Sequence, residues 1–121
     1  MIVSVPVSIG EVVDKATILD IKLKKSNGAA KENIQKERDA IGEILSSIDV
    51  PRGYYEMLVF VNERLWEIED SIRLKEKRGE FDKDFIVYAR MIYMYNDSRA
   101  AIKRKINELT DSEIVEEKIF S

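Results

Sequence analysis

Residues 54–79, YYEMLVFVNERLWEIEDSIRLKEKRG, decide how the chain reads. Tyr54, Leu58, Val61, Leu65, Ile68 and Ile72 follow one another at alternating spacings of four and three. That rhythm puts them on one side of an α-helix, as the seam of a packed helix. Gly79 closes the segment, and Asp82 has the character of the next N-cap, with Phe81 and Ile86 spaced as a hydrophobic staple. The rhythm resumes in Phe81, Phe85, Tyr88, Ile92, Tyr95, position 99, Ile102, Ile106 and Leu109. Two long helices joined by a short turn predict a helical hairpin over 51–110.

A shorter hairpin is predicted upstream, over 9–50. Ser8 and Glu11 form an S-x-x-E capping box that starts helix 1 at Ile9. Asn27-Gly28 ends it after Ser26 with a left-handed cap or tight turn. Helix 2 begins near Ala29, repeats Ile34, Ile41 and Ile48 at spacing seven, and closes before Pro51, which cannot continue a helix. Pro6 limits residues 1–8 to an extended arm. Thr110, Asp111 or Ser112 can cap a short acidic helix over 111–121. The fold class expected is all-α. It is one domain over 1–121, an antiparallel helical bundle of a short then a long hairpin, with an N-terminal arm and a short C-terminal helix.

Composition narrows the chemistry. With 121 residues the chain suits one domain, and 45% apolar against 36% charged residues leans towards a helix-rich, folded protein. There is no cysteine and no histidine, which removes thiolate chemistry and the commonest general base and metal ligand. The net charge of −3 is concentrated in 111–121, where Asp111, Glu113, Glu116 and Glu117 face Lys118 alone. The basic clusters (Lys22/Lys24/Lys25, Lys75/Lys77/Arg78, Lys103/Arg104/Lys105) fall near the carboxyl ends of predicted helices, where they offset the helix dipole. A nucleic-acid binder's basic face is missing. No segment has the makings of a signal peptide or a membrane span, so the expected location is the cytoplasm, of a bacterial cell or a phage-infected host.

Three residues break the helical pattern. Asp20 projects into the apolar arc of helix 1, made by Ile9, Val12, Val13, Ala16, Leu19 and Leu23. Arg99 takes a seam position in helix 4, and Arg64 lies at the edge of the helix 3 seam. Buried charges are costly unless paired, so Asp20 is expected to meet Arg99, with Arg64 as second candidate. Such a pair either sets helix register or lines an interhelical pocket for a carboxylate or phosphate.

The other side of helix 1 gathers Glu11, Asp14, Lys15, Ile18 and Lys22, flanked by Thr17 and Ile21. It has the look of a face that touches something: another part of the chain, another subunit or an unidentified protein partner. Between Phe85 and Tyr95 only Arg90 is charged, so helix 4 is expected to be central or to sit at an interface. A homodimer using Ile86, Tyr93 and Met94 follows from that expectation.

Enzyme motifs are poor. Glu67 and Asp70 form an E-x-x-D of the kind found in helical nucleotide pyrophosphohydrolases, but helix 2 lacks the paired E-x-x-E. Arg64, Arg78, Arg90 and Arg99 loosely resemble the arginines of helical chorismate mutases, with spacing that fits badly. No phosphate-binding glycine loop, no nucleophile beside a base, no metal site and no cofactor site emerges.

The opening segment carries a more specific likeness. Val5-Pro6-Val7-Ser8, Gly10-Glu11, Asp14-Lys15, Thr17-Ile18-Leu19 and Ile21-Lys22 fit V-P-V-S-x-G-E-x-x-D-K-x-T-I-L-x-I-K. This resembles the opening of a family of small uncharacterised helical proteins of bacteria and of phages of marine bacteria. The resemblance implies no activity, but it marks Glu11, Asp14, Lys15, Thr17 and Lys22 for attention. The function expected is a non-enzymatic interaction or regulatory protein, dimeric, binding a partner through helix 1. The alternative is a helical binder of an anionic metabolite, or an enzyme, with Asp20, Arg64 and Arg99 around the pocket.

Overall fold

The computed structural model describes residues 1–119. It contains four helices and, among the described residues, no strand: α1 (Ile9–Lys25), α2 (Gly28–Leu45), α3 (Arg52–Arg78) and α4 (Lys83–Leu109). α1 packs against all three others and α3 against α4, while α2 packs on α1 alone. The expected all-α bundle is present. Its centre is α1, however, and not the helix with the most apolar sequence.

Local chemistry explains the ends. Ser8 is extended (φ −70°, ψ 155°) and its Oγ accepts from Glu11 N–H, one half of the capping box. The other half is absent, because the Glu11 carboxylate turns to Lys103 on α4. Gly28 has φ +59° and opens α2, where a closing cap on α1 was expected; only Ser26 and Asn27 separate the helices. Gly79, at φ +65°, ends α3, and Glu80 N–H donates to Lys75 O across it, closing the long hairpin tightly. Asp82 caps α4 by accepting from Phe85 N–H, and Phe81 meets Phe85 edge-on with ring centroids 5.2 Å apart. The staple partner is therefore Phe85; Ile86 points away and is 56% exposed.

Val13, Leu58, Val61, Leu65, Ile102 and Ile106 form the core, with Ile9, Leu45, Val50, Tyr54, Tyr55 and Tyr95 packed against it. All of it lies at one end of the long hairpin. α3 and α4 each run 27 residues, about 40 Å. In α3 no residue after Ile68 is buried, and in α4 none before Ile102. The far half of the hairpin thus projects beyond α1.

The C-terminal helix is not formed among the described residues, and residues 120–121 lie outside them. Asp111 instead adopts φ +55°, Ser112 N–H donates to Asn107 O, and the chain turns back along α4. Ion pairs from Glu116 to Lys103 and from Glu117 to Arg104 hold it there. The predicted caps serve a reversal: Ser112 Oγ accepts from Ile9 N–H, tying the end of α4 to the start of α1.

α1 and α4 approach closely at Gly10. A Cβ there would stand 2.5 Å from Lys103 O and 2.9 Å from Asn107 Oδ1. Gly10→Ala is expected to cost about 1–3 kcal/mol by urea denaturation, as overpacking against backbone does. Gly53→Ala, where an added Cβ meets nothing within 4 Å, should leave stability unchanged or slightly raised.

Candidate functional site

The polar groups of the interior gather around Asp14, which is 1% exposed. Arg99 of α4 grips its carboxylate with two bonds: Nε to Oδ1 at 2.9 Å, and Nη2 to Oδ2. Asn62 of α3 donates from Nδ2 to Asp14 Oδ1 and to Thr17 Oγ1, both at 2.8 Å. Thr17 in turn donates to the Asp14 backbone carbonyl at 2.7 Å. An ionised carboxylate only accepts, so the Asn62 amide must present its nitrogen to Asp14. Lys103 Nζ lies 3.9 Å from Asp14 Oδ2 and bonds Glu11. Beside them, Asn107 Oδ1 accepts from Gly10 N–H at 2.6 Å.

Helical spacing brings these residues together. Asp14 and Thr17 stand one turn apart on α1, as do Arg99 and Lys103 on α4. Arg99 remains charged: its hydrogen bond to Asp14 raises its pKa above the usual arginine value, against the opposing effect of burial. Side-chain exposure is 28% for Arg99 and 13% for Lys103, so the cluster opens outwards along α4.

Two depressions flank Arg99 and Asn96. One, about 280 Å³, is polar and is bordered by Glu11, Lys103, Arg104, Asn107 and Glu116. The other, about 450 Å³, is a groove between α1, α3 and α4 with Ile18, Leu65 and Trp66 on its walls and Asn62 at its edge.

The expected Asp20–Arg99 pair is corrected by the structure. Asp20 Oδ1 accepts from Arg38 Nε of α2 at 2.8 Å, and its carboxylate also takes the Tyr55 hydroxyl at 3.4 Å. Burial first, then the Asp20 charge, pushes the Tyr55 phenol up. The hydrogen bond to Asp20 raises the pKa of Arg38. Arg64 stays at the surface with Glu67 at 3.1 Å and lies over the Phe60 ring. Arg99 alone of the three reaches the polar interior, and its acid is Asp14.

The face of α1 expected to look outward is mostly covered. Asp14, Thr17 and Ile21 are buried, and Ile18 borders the groove. Glu11 is half-buried against Lys103; Lys15 is exposed and pairs with Glu37 at 3.0 Å, and Lys22 is exposed. Asn62, Lys103, Asn107 and Arg38 were missed by sequence reasoning. Asn62 alone carried a signal, a short amide one turn after Leu58 beside an apolar seam. Among the described residues no group of three or more acids forms a metal cage, and no helix is long and apolar enough to cross a membrane.

Removing one partner of a buried pair strands the other, so Asp14→Ala is expected to cost about 3–5 kcal/mol in chemical denaturation. The double variant Asp14→Leu/Arg99→Met, which removes both charges, should lose less than Asp14→Ala alone. At the C-terminal segment, the bonds from Arg104 hold the Glu117 carboxyl below its usual value of 4.5. A depressed pKa stabilises the docked segment fully above the usual value and loses that effect as pH falls through the lowered one. Amide NMR signals of 113–119 should therefore stay in place at pH 4.5 and shift to free-chain positions only in more acid solution.

No curated protein and no solved structure gives a significant match to the chain. A family model does match, over residues 3–121, and the chain accordingly belongs to DUF6165, a family of unknown function.

Proposed function

We propose that the chain is a non-enzymatic interaction protein that works as a symmetric homodimer, joined through the outer face of α4. The observation that carries this reading is the projecting half of the long hairpin. There Ile86, Val87, Tyr93 and Met94 are 50–56% exposed, on the side of α4 turned away from α3. Scattered exposed apolar side chains need no explanation. These four, however, recur at helical spacing as one stripe on a segment with no buried residue of its own.

Charge along the stripe favours a second copy as the occupant. Arg90 and Asp97 lie within it, both exposed, and neither has an ion-pair partner among the described residues. Arg90 and Asp97 stand at equal distances from a point between Tyr93 and Met94. Pairing two α4 helices antiparallel about a twofold axis at that point brings Arg90 to Asp97 of the partner subunit, twice over. The same axis brings Tyr93 to Met94 of the partner subunit, a self-complementary contact of the kind an isologous interface requires.

The expected partner surface on α1 has less support, since most of that face is inside the bundle. The anionic-metabolite reading has less as well: the Arg99 fork is filled by Asp14, and Arg64 faces solvent.

The charge pattern supplies the test. By native mass spectrometry and light scattering the protein should be a dimer. Arg90→Asp should shift it towards monomer, and so should Asp97→Arg, each by setting like charges against each other. Combining the two restores complementarity and should restore the dimer. A monomeric unmodified protein, or a double variant no better than the singles, overturns the reading.

A further inference from the structure

The stripe on α4 continues past Arg90 and Asp97. Lys83 and Arg104 stand one heptad beyond them on either side, both exposed and on the same face of the helix. An antiparallel pairing that sets Arg90 against Asp97 of the partner subunit also brings Arg104 level with the partner's Lys83, at each end and about 16 Å from the axis. The centre of the contact is then complementary in charge, but its two ends are not. Two cations facing each other there oppose the pairing. Nearby Asp82 and Lys105 are no remedy, because each is bound within its own chain, to Lys75 and to Glu108.

The C-terminal segment supplies an acid at that place. It turns back along α4 after Ser112, and Arg104 donates to the Glu117 carboxylate from Nη1 at 2.9 Å and from Nη2 at 3.2 Å. A carboxylate held by both arms of a guanidinium has a defined position and orientation. Glu116 anchors the segment one residue earlier, on Lys103. Lys103 lies towards α1, where it also meets Glu11, whereas Arg104 lies on the stripe. Of these two anchoring acids, only Glu117 therefore stands at the dimer face. Lys83 has no ion pair or side-chain hydrogen bond among the described residues. Within one chain it is about 30 Å from Arg104 along α4, too far to reach Glu117.

We propose that the docked C-terminal segment is part of the dimer interface: at each end, the Glu117 carboxylate stands between Arg104 of its own chain and Lys83 of the partner subunit. This rests on the α4-to-α4 dimer proposed above and adds what completes its ends. The segment works as a clip. Docked, it turns two opposed cations into a cation–acid–cation row. Released, it leaves them facing each other, and the dimer loosens.

The dissociation constant of the dimer is measured by sedimentation equilibrium at low salt, where surface charges are least screened. Glu117→Gln should raise it about threefold to tenfold, since both ends of every dimer are affected. Lys83→Glu added to Glu117→Gln sets an acid against the Arg104 left without one, and should return the constant to that of the unmodified protein. Because Lys83 and Arg104 are about 30 Å apart in one chain, that rescue acts only between subunits. A role for Glu117 confined to its own chain would not be repaired by it. A monomeric unmodified protein overturns the dimer and the clip together. A dimer whose constant ignores Glu117→Gln, or a double variant no tighter than Glu117→Gln alone, overturns the clip and leaves the dimer standing.

Discussion

Everything in the bundle is arranged around one ionised carboxylate that water does not reach. Asp14 can be held inside only because α3 and α4 bring donors to it: the Arg99 fork, the Asn62 amide and, more distantly, Lys103. Apolar contacts tolerate a shift along a helix by part of a turn, but these bonds do not, so they set where α1 lies against both long helices. A buried pair of this kind adds little net stability compared with well-packed apolar residues. We read its contribution as register. Alternative packings of the same apolar seams would leave the carboxylate unsatisfied.

The register has a second lock at Gly10, where the backbones of α1 and α4 come close enough to exclude any side chain, and Asn107 and Ser112 take up N–H groups from the first turn of α1. Helix starts leave such groups without internal partners. Here they become contacts between elements nearly a chain length apart. The base of the long hairpin is therefore fused to α1 by polar bonds, while its far half is held only by α3 against α4.

Much of this was legible in the sequence, and the failures on α1 share a cause. The four-three rhythm of Tyr54 to Ile72 and the cap at Asp82 located the long hairpin because both signals are local. Asp20 was assigned the wrong arginine, and Ile21 the wrong side, because projecting a single helix assumes one buried face. α1 has three neighbours: Asp20 faces α2 and Tyr55, while Asp14, Thr17 and Ile21 face the long hairpin. Arg99 was rightly singled out, since a guanidinium on a seam must find an acid, but spacing along one chain does not say which acid. The C-terminal helix failed differently. Of its capping residues, Ser112 is taken by a tertiary contact with Ile9, and Thr110 donates back to Ile106 O.

The placement of α2 has a consequence for how the molecule opens. It buries no residue completely and lies along α1, fastened by Arg38 on Asp20 and Glu37 on Lys15, with only Leu45 at its end packed against the core. Stability in a protein is rarely uniform, and segments with few buried contacts open without the rest. The chain is therefore expected to have two tiers: a three-helix unit that unfolds only globally, and α2 as a flap that detaches at lower cost. Amide exchange along α2 would report the strength of the Arg38 clasp, and the exchange of α1, α3 and α4 that of the core. Each opening of the flap would bare the α2-facing side of α1, so the helix at the centre of the fold is also the one the molecule intermittently uncovers.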